Sequence, residues 1–485
     1  MRKVVLTAVA VSALAAAAGA WTVKGVSRAD LWLSQPGYAL AYREVLDLGI
    51  NGSLDDRLSL SAGIRYQLDQ ESWDDSTFLS GIAKKHLLLE AEKVSLRLGN
   101  YYASLGRGLA LNCISDERVK LDRDIEGGYL KAEPSGWLEV RGLAGRAFQN
   151  SALLDERNLM GGEAVCKPTP YIGMGGIYLR ANAADQPSQA GYNLAAEESF
   201  GGNLAISLFS AEFYGEYIQR HTYGINDPSL GWIGADDVGG KGFYGWLGWT
   251  ASRVGVSVDF KDYRNLDSPV SGPPPCNRDG RLMNRGYDEQ GWQVDITTSP
   301  GEFLEVRGNY SSAGGDLSDW CWRDLLCEAS WDITSCWKVG GEVRIRAEEM
   351  LETEVTARKY RGAGIQVQWR YNELGSIKIR LDGDRHQDQY LLYGQLPHDL
   401  VRTEAGWSPY PWLQLFAEAE MSSRRLPDYD NQRRWGRAGA VLKAGDRHKL
   451  EVSAGHYKGG LVCSGGFCRY EPPFRGVKTT WQWSL

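Results

Sequence analysis

The chain predicts an all-β protein: a large antiparallel transmembrane β-barrel of about 18–24 strands. Three observations lead there. Apolar and polar residues alternate with period two in one stretch after another, the signature of strands with one apolar and one polar face. Amphipathic aromatics dominate, with 18 Trp and 24 Tyr against 11 Phe, and such rings settle where apolar and wet surroundings meet. Finally, the polar faces carry repeated arginines, a heavy charge for the solvent face of a soluble sandwich.

Composition narrows the alternatives. The 485 residues are 43% hydrophobic and 24% charged, with a mean hydropathy of −0.38. That value argues against a helical membrane protein, which needs repeated apolar runs of roughly 20 residues. It suits a barrel, whose strands give half their residues to a polar lumen. A net charge of −7 with no basic block argues against a nucleic-acid partner. So many aromatics argue against disorder.

Residues 1–20 read as a secretory signal. Arg2 and Lys3 precede an apolar run from Val4 to Ala18, and Ala18-Gly19-Ala20 supplies the small residues a signal peptidase needs. Removing those two cations takes the net charge from −7 to −9. Residues 21–37 read as a short periplasmic arm and residues 38–485 as the barrel, with strands beginning near Tyr38. No globular plug domain fits ahead of them.

Along the barrel, Leu58, Leu60, Ala62, Ile64, Tyr66 and Leu68 alternate with polar residues or glycine. The same period returns at Val254–Phe260, Ala363–Tyr371, Ile377–Leu381, Leu413–Met421 and Leu450–Ala454. Leu138-Glu139-Val140-Arg141-Gly142 recurs letter for letter at Leu304-Glu305-Val306-Arg307-Gly308, each just after a short turn and an aromatic, Trp137 or Phe303. Duplication and convergent hairpin chemistry explain the repeat equally well. Tyr101-Tyr102, Trp137, Trp246-Trp249, Trp337, Trp412 and Trp481-Trp483 are expected at the membrane rims. Longer polar connections, read as extracellular loops, fall at 149–171, 182–199, 220–240, 264–288, 311–324, 382–388, 422–432 and 458–473. The last strand alternates Val477, Thr479, Trp481, Trp483 and Leu485, close to the assembly signal of outer-membrane barrels but ending in Leu where an aromatic is usual.

Residues two apart on a strand share a face, so the pairs Glu139 with Arg141, Glu305 with Arg307 and Glu342 with Arg344 should point into the lumen together. Arg65, Arg97, Arg346, Arg370 and Arg380 are expected on the same inner face. Such mixed charge sets up a hydrated path for polar solutes, or else neutralises itself and stiffens the wall. Gly106-Arg107-Gly108 either aims Arg107 into the lumen or is a bulge with an incidental charge.

Eight cysteines in an exported chain point to an oxidising compartment. Cys463 and Cys468 enclose a glycine pair and are the disulfide candidates, read as a staple in an exposed loop. The pairing of Cys113, Cys166, Cys276, Cys321, Cys327 and Cys336 is open. No metal motif, haem-attachment motif or nucleophile motif is visible around the six histidines, so neither a cofactor nor an enzyme activity is expected. His386 with Asp384 reads as solvated loop.

Gly99-Asn100-Tyr101-Tyr102 with Gly106-Arg107-Gly108-Leu109, and Cys463-Ser464-Gly465-Gly466-Phe467-Cys468-Arg469 before Pro472, resemble segments of a family of large Gram-negative outer-membrane barrels. The resemblance implies a barrel in the outer membrane and carries no activity.

The expected function is therefore an outer-membrane channel or porin-like conduit for polar or charged solutes, with loops 149–199 and 264–288 constricting it. The competing reading is a barrel that sheathes or anchors a partner in the periplasm or outside the cell, such as a multihaem electron carrier or a secreted polymer.

Overall fold

The computed structural model describes residues 21–484 apart from 35–39, 72–76, 184–192, 228–230, 234–238, 317–319, 350–354, 391–393 and 427–431. Positions 56, 117, 120, 150–151, 285, 465–466 and 472 are also outside the described set. Residues 1–20, expected as a signal peptide, lie outside it too.

Period-two patterning has one stable outcome in a bilayer. With no water to satisfy backbone N–H and C=O groups, a membrane sheet must close on itself. Among the described residues every long strand pairs antiparallel with its neighbour in sequence, and twenty-four of them form the closed ring. Two shorter strands, Ser115–Asp116 and Gly231–Ile233, attach to it, and no described residue is helical.

Closure corrects the expected N-terminal arm. Trp21–Ser34 is a barrel strand that pairs with Leu40–Asp55 on one side and with the final strand, Phe474–Ser484, on the other. Leu31 stands opposite Thr479, and Thr480 Oγ1 donates to Asp30 at 2.6 Å on the inner face. An even ring needs this strand, because otherwise the last strand would leave an unpaired edge in lipid.

Tight turns such as those after Ala91, Ser135, Leu208 and Ala251 all lie at the end where both termini sit, which is the periplasmic end. The strands are long, up to 18 residues in Ala152–Thr169, against the roughly 9–11 that cross a bilayer. Their excess extends past the membrane on the extracellular side.

That extension corrects several expected loops. Segment 149–171 is mostly the strand Ala152–Thr169, and the described half of 182–199 belongs to the ends of Ile172–Ala183 and Asn193–Leu208, residues 184–192 lying outside the described set. Part of 220–240 belongs to Ala211–Asp227, and 382–388 lies within Ser376–Tyr390. Outside lipid a strand is polar on both faces, so its period disappears and it reads as loop. Segment 458–473 contains a hairpin, Gly460–Ser464 with Phe467–Glu471.

The outer face carries two aromatic girdles. Trp137, Trp249, Trp337, Trp369, Trp412 and Trp481 are exposed outward near the periplasmic turns. Higher up, Tyr178 pairs with Phe200, Tyr217 with Phe243 and Phe260 with Trp292, all outward. Three rings expected at the rim face inward instead. Tyr101 is buried, Tyr102 bonds Lys84 and Asp122, and Trp246 packs on the internal core.

Candidate pore and its inward-folded segments

A barrel this wide would be hollow, yet its lumen holds a hydrophobic core. Two connections on the extracellular side, 102–120 after Val94–Tyr101 and 265–287 after Val254–Arg264, fold inward. In the first, Ala103–Leu105 pairs with Leu111–Cys113 as a hairpin. Its bend uses Gly106 at φ 55° and Gly108 at φ 97°, a backbone region that disfavours side chains. Leu105, Leu109 and Leu111 then pack on inward-facing wall residues Ile125, Leu143, Leu159, Ile177, Leu179 and Ile218. Burying a leucine side chain contributes about 2 kcal/mol, so the segment is anchored by its apolar face.

The two segments also hold each other. Asn112 N–H donates to the Val270 carbonyl at 2.8 Å, and Gly272 N–H to the Gly108 carbonyl at 3.0 Å. Their buried backbone groups bond the wall. Glu216 accepts from Arg107 N–H at 2.5 Å, Glu163 accepts from Gly106 N–H at 3.4 Å, and Tyr263 donates to the Pro274 carbonyl at 2.8 Å. The fully buried Lys261 ammonium bonds Glu289 and the Pro275 carbonyl.

Of the two segments expected to constrict the lumen, 264–288 does fold into it. Segment 149–199 instead belongs mostly to the wall, and its place is taken by 102–120. The signal for that substitution lies in Ile172–Ala183, where Met174 and Tyr178 face outward while Ile177, Leu179 and Ala181 face inward and are buried. A strand apolar on both faces needs something to cover its inner one.

Opposite this core the wall is charged. Arg307 pairs with Asp295 at 2.7 Å, Arg344 with Asp324 at 2.5 Å, and Arg346 with Asp324 at 3.4 Å. Arg380 bridges Glu342 and Asp382, each at 2.8 Å, and Arg437 meets Glu418 at 2.7 Å. Three residues of the second segment join the array. Arg278 bonds Glu328 at 2.7 Å, Arg281 reaches Glu348 at 3.5 Å, and Asp279 bridges Arg344 and Arg346.

The expected Glu-x-Arg pairs share a face but do not all bond each other. Glu139 and Arg141 do, at 2.6 Å. Arg307 turns to Asp295, Arg344 to Asp324, and Glu342 to Arg380, all across strands. Glu305 lines a wall recess of about 270 Å³ with Arg307, Lys338, Glu342 and Arg380. Arg65 pairs with Asp47 at 2.6 Å and borders a second recess of about 290 Å³ that includes Arg97, whose Nε donates to the Asn100 carbonyl at 3.2 Å. Arg370 ends its strand at the periplasmic turn, with its N–H on the Cys336 carbonyl. Arg107 is exposed at the tip of the first segment, its guanidinium 5.0 Å from the Tyr214 ring centroid. The acidic partners Asp47, Asp295, Asp324 and Glu418 belong to no sequence motif, yet cross-strand register sets each beside an arginine on the inner face.

Cys113, Cys166, Cys276, Cys321, Cys327 and Cys336 are free thiols. Burial pushes the thiols of Cys113 and Cys276, both in the inserted segments, up to about 12. The backbone register places Cys463 opposite Cys468, and their side chains lie outside the described residues.

Compared with solved structures, the chain resembles the P pilus usher PapC translocation pore, with a TM-score of 0.52 at 8% identity over 96% of this chain and 99% of that one. This is an outer-membrane barrel. The siderophore receptor PirA from Pseudomonas aeruginosa aligns with a TM-score of 0.48 at 10% identity over 96% of this chain and 80% of that one. OccK5 from the same organism aligns at 0.43 and 12%, over 76% and 98%. At such identities the likeness concerns the fold alone. No protein-family model and no curated protein matches the sequence. The closed ring with its girdled apolar outer face places the barrel in the bacterial outer membrane, in contact with its lipid.

Proposed function

We propose that this barrel is an outer-membrane channel for polar or charged solutes, narrowed from within by segments 102–120 and 265–287. The observation that carries the reading is the asymmetry of the lumen. One side is apolar and filled by the two segments, while the wall from about Leu304 to Ala444 presents half-buried ion pairs that offer a passing solute both signs of charge. Such ion pairs are weak sources of net stability, because in the half-buried ones the cost of desolvation offsets the attraction, so a role in solvating a path explains their number better than a structural one.

The inserted segments occupy space that a sheathed partner would need, which favours the solute channel over a sheath for a multihaem carrier or a polymer. Single-channel recording in planar bilayers tests this. Discrete conductance steps are expected; a silent barrel that co-purifies with another protein overturns the reading in favour of the sheath.

A further inference from the structure

We infer that His386, His398 and Asp388 form a binding site for one divalent transition-metal ion at the extracellular mouth of the lumen. The three come together by register. Ser376–Tyr390 and Gly394–Tyr410 form a hairpin in which His386 stands directly opposite His398. Asp388, two residues beyond His386, shares its face. Each offers one ligand atom, and these atoms all lie within 4.8 Å of one another.

Two further observations point to a ligand. Among the described residues the Nε2 atom of His386 is buried without a hydrogen-bond partner, so its lone pair or proton is available to a ligand. The Nδ1 atom of His398 lies 3.3 Å from the Leu396 carbonyl, which can only accept. Nδ1 therefore carries the proton, and Nε2 keeps its lone pair for a metal. His398 and Asp388 are only 5% and 3% exposed.

The surroundings tolerate a cation. Arg358 Nε holds one Asp388 oxygen at 3.1 Å, while Arg402 and Lys458 share the single Glu420 carboxylate, and Asp382 and Asp384 near Arg402 supply the further negative charge that offsets the pair. The two imidazoles stack with centroids 4.8 Å apart, and Tyr360 stacks on His386 at 5.3 Å. Metal–ligand bonds of about 2.0–2.1 Å in a tetrahedral site place ligand atoms about 3.3 Å apart, so the stacked rings must shift to close the widest gap by about 1.5 Å.

Height in the membrane is set by the outer surface of the same hairpin. Arg385 and Asp399 face outward there, with side chains 73% and 67% exposed and 4.0 Å apart, so this level lies above the apolar band. An ion reaches it from the external medium. Two imidazoles and one carboxylate suit Zn²⁺, Ni²⁺ or Cu²⁺ and not the oxygen-seeking Ca²⁺ or Mg²⁺. Three protein ligands leave a coordination position for water.

The test uses the full barrel in detergent, stripped with EDTA and with its accessible thiols alkylated so that exposed cysteines cannot compete. Zn²⁺ titration calorimetry is expected to give one site per barrel, weakened at least tenfold by His386→Ala, His398→Ala or Asp388→Asn. Cu²⁺ spectra should show two nitrogen ligands in the parent and one in His398→Ala. His448→Ala, at the periplasmic end against Trp483, is expected to bind as the parent does. Heat-modifiable gel migration verifies that each variant is folded, and Gln replaces Ala at any histidine where it is not. Absence of micromolar binding, or equal binding by a folded variant lacking both histidines, overturns the site.

Discussion

The N–H of Asn112 donates to the carbonyl of Val270 at 2.8 Å, joining two segments that enter the lumen from different parts of the ring. Each segment also bonds the wall, and together they make one internal body with its own hydrogen bonds and core. Most of what distinguishes this barrel from an open pore depends on that joint.

Replacing Gly108 tests the joint. Its φ is 97°, and a Cβ there would meet the Gly272 carbonyl oxygen at 2.9 Å. Gly108→Val is expected to displace the segments at a cost of about 1–3 kcal/mol while the ring stays closed. Single-channel conductance should rise with heat-modifiable migration unchanged. Unchanged conductance would mean that the segments do not narrow the path.

Removing Asp279 alters the charged wall. This carboxylate bridges Arg344 and Arg346, and without it the two guanidinium groups share only Asp324. Asp279→Asn is expected to move the reversal potential in a salt gradient toward anion selectivity. An unaltered potential would show that permeating ions do not pass this point.

The thiols should divide by location. With their thiols pushed up to about 12, Cys113 and Cys276 hold roughly a thousandfold less thiolate at pH 8 than a free cysteine. In the folded barrel both are expected to resist maleimide at pH 7–8, with any residual rate climbing about tenfold per pH unit up to pH 10, where a free cysteine has already levelled off. Cys336, exposed in a periplasmic turn, should react at once. Mass spectrometry before and after boiling checks the assignment, and rapid labelling of Cys113 in the folded barrel would contradict it.

The N-terminal strand separates a ring from an appended arm. Deleting residues 21–34 removes both pairings of Trp21–Ser34, leaving edges that lipid cannot satisfy. The heat-modifiable form is expected to be lost completely. A deletion mutant that still assembled would mean that this strand is dispensable.

Local pattern is enough for the closed antiparallel barrel, because alternation acts residue by residue and lipid enforces it. Where lipid stops acting, the pattern stops as well. The polar strand ends around His386 therefore looked like loop, and the first strand, short of alternating signal, looked like an arm. Partner choice was equally hidden: Glu305 and Arg307 share a face, yet Arg307 bonds Asp295 across the sheet, since cross-strand neighbours depend on register. The internal body was the least legible feature. Leu105, Leu109 and Leu111 look like any apolar stretch until Ile177 and Leu179 are seen facing inward and needing cover. Period and composition settle which side of the wall a residue faces; what fills the lumen, and which charges and histidines meet there, follows from long-range pairing that brings distant segments together.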